Sequence, residues 1–387
     1  MPSEVRTELT ANSYHSYSRR QHGATSPIAQ ADLYQILQKA IVAPSGHNWQ
    51  PWRFRLQPDG VELHIVREPI LKFVEQEDHG RYLSAGAAIE NMCVCAAKLG
   101  YSLVAQYFPV EEDPLFVAYI RFTTLSQGDY QLSDLYEFLD KRCTNRSLYD
   151  ASQPMDFRKL LALRQLARSH TANTQLFWID RDESEFPQVA KLCGRSEQVF
   201  LEFEQGHSDI IGGIRFQTEL EKMHRDGLDV RTLDVGPLEI AMLKACQSWD
   251  VQTLLNRLGA SHVANSITQK QIKSSLAVGL LINDSSDKQS VVLSGRMMER
   301  LWLGATKLGL SIQPLYALLP IIKNPNSWYR FFSRSQIQVV EQLVSDFRTL
   351  FPCNETNAQF LFRIGHGATP KVRSLRRPLE CFILKDD

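Results

Sequence analysis

The sequence has no surplus of charge: its 387 residues carry 43 Lys+Arg against 43 Asp+Glu. A chain that binds nucleic acid or an anionic membrane through its overall field needs a basic excess, so neither partner is expected, although a local basic pocket is compatible. The seven cysteines are scattered and contain no CxxC pair. Cys93 and Cys95 stand two apart in a helical pattern and point to different faces, so buried free thiols are expected rather than a metal pair. Free thiols fit a reducing cytoplasm. No apolar run reaches the length of a membrane span, and YALLPII, Tyr316 to Ile322, is too short. The first two dozen residues are polar, lack the apolar segment of a secretory signal, and are expected to form an arm ending near residue 30. No GxGxxG fingerprint is present, so no standing Rossmann-type dinucleotide site is expected.

What is present is ordinary globular material, 43% hydrophobic and 22% charged, in a length that suits two domains or one large compound one. Asp32 to Val42 predicts a helix, with Leu33, Ile36, Leu37, Ala40 and Ile41 on one face and Pro44 as its stop. WRFRLQ and VELHIV predict a hairpin around Pro58-Asp59-Gly60. Leu83 to Ser102 is apolar nearly all round up to Gly100, a pattern that predicts a central buried helix with a glycine cap. Strands follow near Val104–Tyr107 and at LFVAYIRF. LSDLYEFLDKR, Leu132 to Arg142, predicts an amphipathic helix with Ser133 as its N-cap. In the second half SSLAVGLLIN predicts a strand, and VVLSGRMMERLWLGATKLGLSIQPLY a long helix, a glycine stop and a strand.

The two long helices match in one register. Sliding Gly86 onto Gly295 pairs Glu90 with Glu299, Ala96 with Ala305, Lys98-Leu99-Gly100 with Lys307-Leu308-Gly309, and Ser102 with Ser311. An internal duplication is therefore expected, with halves at 31–141 and 142–387. The two helices could then pack across a pseudo-two-fold axis, as in a homodimer core made by one chain. A polar region of about 206–273 interrupts the second half as an insertion; a loop this long is usually functional or disordered.

The stretch APSGHNWQPWRF, Ala43 to Phe54, crowds two tryptophans, two prolines, Ser45, Asn48 and Gln50 behind the first helix. Tryptophan is costly to leave wet and needs a partner for its N–H when buried. Read alone, this could be a helix-end loop with packed tryptophans, His47 a hydrogen-bonded loop residue, and KVRSLRR a solvated basic tail. Glu90 and Glu299 could cap or pair locally.

Together the motifs resemble those of the nitroreductase family of flavin enzymes. APSGHNWQPWRF resembles its APSxxNxQPWxF loop, and GAAIENMCVCAAKLGY its dimer-core helix. LDKRCTNRSLYD, Leu139 to Asp150, resembles its RRSxRxF element, and RIGHGATPKVRSLRRPLE its C-terminal GYPxxxxxxxxRxPLE segment. The match runs from about Ala31 onward and is similar to the duplicated, fused Acg-type branch of the family. The resemblance implies an α+β, three-layer nitroreductase-like sandwich, two copies fused into an intrachain pseudo-dimer. It implies one composite FMN site per chain. Pro44, Ser45, Asn48 and Gln50 would come from the first half. Arg142, Thr144, Asn145, Arg146, Gln313, Leu315, Tyr316, Arg373, Arg376 and Arg377 would come from the second. The second half has no PSxxN loop after its helix, and SRRQHGATSPI, Ser18 to Ile28, is a poor match to RRSxRxF, so the twin site is expected to have decayed.

The residue types suit that role. Guanidinium forks bind a phosphate dianion, which Arg142, Arg146 and one or two of Arg373, Arg376 and Arg377 would supply, with hydroxyls from Ser45 and Thr144. Asn48 and Gln50 would meet the polar edge of the flavin, and a backbone N–H from Leu315 to Ala317 its N5. NAD(P)H would act as a transient reductant and a nitro or quinone compound as acceptor, with no obligatory catalytic side chain. Ile214 to Val235 would form a lid. The chain would be a cytoplasmic monomer whose partners are small molecules. The alternative is a protein that stores FMN behind the lid with little turnover; a third reading is a flavin-free relic.

Overall fold

The two helices that the sequence aligns pack directly against each other, and glycine sets how closely. A Cβ built on Gly86 would stand 2.0 Å from the Val292 carbonyl oxygen, and one on Gly295 would stand 2.2 Å from that of Leu83. Only hydrogen fits at either position, so the helix backbones cross in contact at the matched pair. The computed structural model describes residues 28–67, 71–75, 77–125, 129–154, 156–168 and 173–385. The stretch Ser18 to Ile28 therefore lies, except for its last residue, outside the described residues.

The first half runs α1 (Gln30–Ala40), β1 (Trp52–Gln57), β2 (Gly60–Ile65), α2 (His79–Lys98), β3 (Tyr101–Tyr107) and β4 (Phe116–Thr124). The second begins with α3 (Phe157–Arg168) and β5 (Thr174–Asp180), then α4 (Phe186–Leu201), α5 (Glu204–Ile211), β6 (Ile214–Arg215), α6 (Thr218–His224), β7 (Leu228–Asp229), α7 (Pro237–Ala245), α8 (Trp249–Arg257) and α9 (Ala260–Lys273). It continues with β8 (Ala277–Asn283), α10 (Lys288–Lys307), β9 (Ser311–Pro314), α11 (Leu318–Lys323), α12 (Pro325–Phe331), α13 (Arg334–Leu350) and β10 (Ala358–Gly365).

Each half builds a four-stranded antiparallel sheet, in the orders β1-β2-β4-β3 and β5-β8-β10-β9. In both, the third strand of the chain lies outside the fourth. Both sheets also carry a one-residue bulge at the same place. Leu63 and His64 face Ala118 and Phe116, skipping Val117, and Leu281 and Ile282 face Phe360 and Ala358, skipping Gln359. A bulge disturbs the ladder and is kept by design rather than accident. Shared order and shared bulge are the structural signature of a duplicated unit.

The crossed helices α2 and α10 lie in one continuous core with the inner faces of both sheets. Val61, Leu63, Ile120 and Phe122 meet it from one side, and Leu281, Phe362 and Ile364 from the other. The far face of the second sheet is buried as well: Val278, Leu280, Ile282 and Leu361 pack under Val189, Ile321, Val340 and Phe347 of α4, α11 and α13. That is why AVGLLIN reads as a continuous apolar run rather than an alternation. The chain also laces the halves together. Phe54 donates its N–H to the Phe382 carbonyl at 2.8 Å and accepts from Leu384 at 2.7 Å, so the C-terminal segment joins the edge of the first sheet. Thr144 bridges to Ile312 in β9, and Asn145 donates to the Ile312 carbonyl at 3.1 Å.

Two expectations are corrected. The segment read as an amphipathic α-helix at Leu132–Arg142 is a 3-10 helix over Asp129–Phe138. Leu132, Leu135 and Phe138 recur every third residue and all meet the core, the spacing that a three-residue turn aligns. The region read as a long insertion loop is largely helical, with α5 to α9 inside it and its short strands β6 and β7 paired in parallel. No helix among the described residues is long and apolar enough to cross a membrane.

Candidate functional site

The loop between α1 and β1 is held in an unusual shape. His47, Asn48 and Gln50 all have positive φ, at 47°, 58° and 55°. Each non-glycine residue in that region costs on the order of 1 kcal/mol, and Gln50 precedes a proline, which normally favours extended backbone. The surroundings hold the loop in place. Ser45 Oγ accepts the Gln50 N–H at 3.0 Å, and Asn48 N–H donates to the Ser45 carbonyl at 3.0 Å. Asn48 and Gln50 are buried. Trp52 is core, tilted against Phe382 with ring centres 6.2 Å apart. Trp49 lies under the Arg215 guanidinium, 5.2 Å from the ring centre. Both indole N–H groups are buried without an acceptor among the described residues, contrary to the usual rule.

Two distant segments close on this loop. From the C-terminal tail, Arg376 donates to Asn48 Oδ1 at 2.7 Å and to the carbonyls of Val42 and Ala43 at 3.3 and 3.0 Å. Arg377 donates its backbone N–H to Gln50 Oε1 at 3.0 Å. From the insertion, the carbonyls of Arg225 and Gly227 accept from Gln50 Nε2 at 2.8 Å and Asn48 Nδ2 at 3.2 Å. Gly213 sits so close that a Cβ there would stand 2.6 Å from the His47 ring. Thr232 offers its carbonyl to Arg146 at 3.3 Å. Asp226 ties this segment down through Arg215 at 2.7 Å and through the Arg377 guanidinium. Residues 213 to 232 therefore cover the loop.

The arginines expected together are not equivalent. Arg142 is buried, lies over the Trp302 ring, donates to the Val42 carbonyl and stands 3.0 Å from the fully buried Glu299. Burial pushes the Glu299 carboxyl up to about 7, against the pull of Arg142 and Arg376. Arg377 is spent on Asp226, and Arg373 is exposed on the carbonyls of Asp140 and Lys141. Arg146 and Arg376 make no ion pair among the described residues. Desolvation lowers Arg146 to about 10, and desolvation with nearby Arg142 lowers Arg376 to about 9. His47 is held down to about 4 by burial and then by Arg146.

Other expected residues have structural jobs. Asn145 donates to Ser311 Oγ and the Ala368 carbonyl and accepts from Ser147, so its amide is committed to the turn. Gln313 accepts from Arg363 at 2.6 Å. The Leu315 N–H continues the β9–β10 ladder to the Leu361 carbonyl at 2.9 Å, which leaves Tyr316 and Ala317 as the N–H groups after Pro314. The Tyr316 hydroxyl is buried with no partner among the described residues, beside Gly46 and Glu75, and its ring meets His47 edge-on at 5.8 Å. Pro44 and Thr144 are half-buried, Thr144 in its bridge to β9.

The sequence reading did not single out Arg215, Asp226, Thr232 or Glu299 for the site. Arg215, Asp226 and Thr232 fell only within the expected lid, and Glu299 only in the repeat. No cluster of three or more metal-ligating side chains occurs among the described residues. The arrangement sets two partly buried guanidiniums without ion pairs beside a strained loop, with His47 Nδ1, Tyr316 OH and Arg376 Nε lacking partners among the described residues.

No family model matches the chain. Among curated proteins it is 23% identical over 344 residues to an uncharacterized protein of Mycobacterium tuberculosis (strain CDC 1551 / Oshkosh), covering 88% of this chain and 47% of that one. It is 32% identical over 181 residues to the M. tuberculosis "Putative NAD(P)H nitroreductase acg", covering 46% of this chain and 52% of the relative. It is 32% identical over 116 residues to a second M. tuberculosis "Putative NAD(P)H nitroreductase", covering 30% and 33%. The chain thus spans a third to a half of the curated relatives it matches, and it is related in sequence to proteins named as nitroreductases. Similar solved structures include the FMN-dependent nitroreductase NfnB from Mycobacterium smegmatis in complex with NADPH, at 12% identity, with 66% of this chain and all of that one covered and a TM-score of 0.38. The FMN and NADPH-dependent nitroreductase NfnB from sphigopyxis sp. strain HMH gives 15% identity, 65% and 99% coverage, and 0.39. Scores this low carry no weight for the fold, which stands on the strand order and the helix pair.

Proposed function

We propose that this chain binds one FMN and acts as an NAD(P)H-dependent oxidoreductase that reduces a nitro or quinone-type acceptor. The observation that supports this reading is the pair Arg146 and Arg376: two desolvated guanidiniums that make no ion pair among the described residues, beside consecutive residues of the Pro44–Gln50 loop. A phosphate dianion fits that donor set, because charge-assisted bonds to guanidinium forks offset the desolvation already present. Arg146 and Arg376 would hold the phosphate, with hydroxyl donors from Ser45 and Thr144. Glu299, paired with Arg142, would balance the charge behind Arg376. Asn48, Gln50 and the N–H groups of Tyr316 and Ala317 would meet the flavin ring, and the unpartnered Tyr316 hydroxyl adds a further donor beside them. FMN, when bound, supplies hydride transfer at N5.

The chain's own residues then bind, orient and exclude water. Gly213 to Thr232 would be the cover, fixed by Asp226 to Arg215 and Arg377 and opening for reductant and acceptor. We read the halves as 31–141 and 142–387, and the chain as a cytoplasmic monomer, because α2 and α10 already fill the place of a dimer core. The test is an anaerobic addition of NADH or NADPH to the FMN-loaded protein. Bleaching of the visible flavin band is the expected result. A protein that holds FMN and never bleaches with either nucleotide would replace the reductase reading with storage. A protein that takes up no FMN removes both.

A further inference from the structure

A second cavity, of about 240 Å³, opens between the halves at the N-terminal ends of α2 and α10. It is walled mainly by apolar groups, among them Phe73, Leu83, Val291 and Leu319, and of the two lysines that line it, Lys288 and Lys323, Lys323 is hydrogen-bonded to His79 and Ala358. Lys323 ends the apolar run that starts at Tyr316, and it lies in neither the flavin reading nor the repeat.

Two acceptors and its burial define the surroundings of that amine. His79 Nε2 is 3.0 Å from the Gln359 carbonyl, which can only accept, so Nε2 carries the proton. Burial, then Lys323, pushes His79 down to about 3, so its ring is neutral and Nδ1 is an acceptor. Lys323 Nζ lies 3.3 Å from that Nδ1 and 2.8 Å from the Ala358 carbonyl. Burial pushes Lys323 down to about 7, against the pull of Glu77 and Cys353. A neutral amine has two N–H bonds and one lone pair. In the neutral form, which burial favours, both N–H bonds are engaged and the lone pair is left over.

The neighbouring Gln359 adds a second, independent sign. It is the residue skipped by the bulge in β10, where the matched strand of the first half has Val117. Bulges re-aim side chains and are frequent beside active sites. Gln359 is fully buried, lines the same cavity, and its Oε1 has no partner among the described residues. An unpaired buried acceptor costs about 1–3 kcal/mol and calls for a donor.

We propose that this cavity is a binding site for a small, largely apolar aldehyde, which Lys323 captures as an imine. The Nζ lone pair forms a bond to the carbonyl carbon, giving a carbinolamine whose hydroxyl can donate to Gln359 Oε1. The carbon–oxygen bond then breaks, and the oxygen leaves as water carrying the two former amine protons, with His79 Nδ1 placed to relay one of them. No oxidant or reductant is needed. The volume suits a ligand smaller than a typical drug, at the scale of an aromatic or six-carbon aldehyde. The cavity shares Leu315 and Tyr316 with the flavin reading, but the capture by Lys323 uses neither of them and its test needs no flavin.

The test treats the full chain with benzaldehyde and sodium cyanoborohydride at pH 7 and maps the modified lysines by mass spectrometry. The expected result is one benzyl group per chain on Lys323, formed at least about ten-fold faster than on the exposed Lys72, Lys141 and Lys222. Leu319→Trp, which fills the cavity without touching the amine, should slow labelling at Lys323 and leave the surface lysines unchanged. Labelling of exposed lysines with Lys323 untouched in the unaltered protein would overturn the proposal, as would undiminished labelling of Lys323 in folded Leu319→Trp. The unaltered protein decides the first point even where a variant fails to fold.

Discussion

The two sheets have the same strand order and the same bulge but opposite surroundings. The first is covered on one face only. Its outer face carries Arg55, Glu62, His64, Asp59 and Arg121, with Glu62 accepting from Arg55 at 3.2 Å, Gln57 at 2.7 Å and His64 at 2.9 Å. The second is apolar on both faces, because α4 enters between β5 and β8, and α11 to α13 enter between β9 and β10. Every large insertion among the described residues lies in the second half. One copy of the unit stayed minimal and kept the strained loop. The other grew the cover and the basic tail, and the cavity with Lys323 opens where the two copies meet. The comparison teaches that a duplicated core can be held by its matched glycines while the sites around it diverge.

Breaking the shared element should have the largest effect. Gly295→Leu drives a side chain into the Leu83 backbone and should cost more than about 3 kcal/mol, read by chemical denaturation; a loss below about 1 kcal/mol would mean that the helices can part without harm to the core.

Next comes the contrast between arginines that the sequence cannot rank. Arg376→Ala should weaken FMN binding roughly a hundred-fold, as expected for losing charge-assisted bonds to phosphate, whereas the exposed Arg373→Ala should change it less than about two-fold. Equal losses in the two variants, measured by quenching of flavin fluorescence, would show that the tail acts only through its net charge.

A smaller effect concerns Glu299, whose match Glu90 is shared by Arg296 at 3.1 Å and Arg300 at 2.5 Å. Burial raises the folded pKa of Glu299 to about 7 from its ordinary value of 4.5. The fold therefore favours the protonated form, and the associated stability is complete below about pH 4.5 and lost as pH rises through about 7. Glu299→Gln should remove that component, on the order of 2 kcal/mol, and flatten the fall in stability between those pH values. Glu75 and Glu197, also raised to about 7, keep a slope of the same sign. An unchanged pH profile in the variant would place the titration elsewhere. The least effect is expected on the open face of the first sheet: Arg121→Ala breaks a half-exposed pair with Asp59 and should move stability by no more than about 0.5–1 kcal/mol.

The elements were mostly legible because they obey local rules. Pro58-Asp59-Gly60 makes the hairpin, and AVGLLIN is a strand buried on both faces. The duplicated helix was legible through Gly86 and Gly295, although only their contact explains why glycine is needed there. The segment at Asp129–Phe138 was misread because a repeat of three and a repeat of 3.6 are hard to tell apart over three turns. In the site, the sequence brought together Asn48, Gln50 and the basic tail. It could not say which arginine is neutralised, since Asp226 lies 151 residues from Arg377 and Glu299, on α10, is remote in sequence from Arg142 in the segment after the 3-10 helix. Nor could it show that Asn145 and Gln313 are committed to Ala368 and Arg363, because amide side chains serve turns and ligands alike.

The central claim is that two copies of one unit leave a single flavin site. Titrating the flavin-free protein with FMN and following the quenching of flavin fluorescence to saturation tests it most directly. The account predicts one FMN per chain, lost in Arg146→Ala and Arg376→Ala. Two FMN per chain, or one that both variants retain at full affinity, would contradict it.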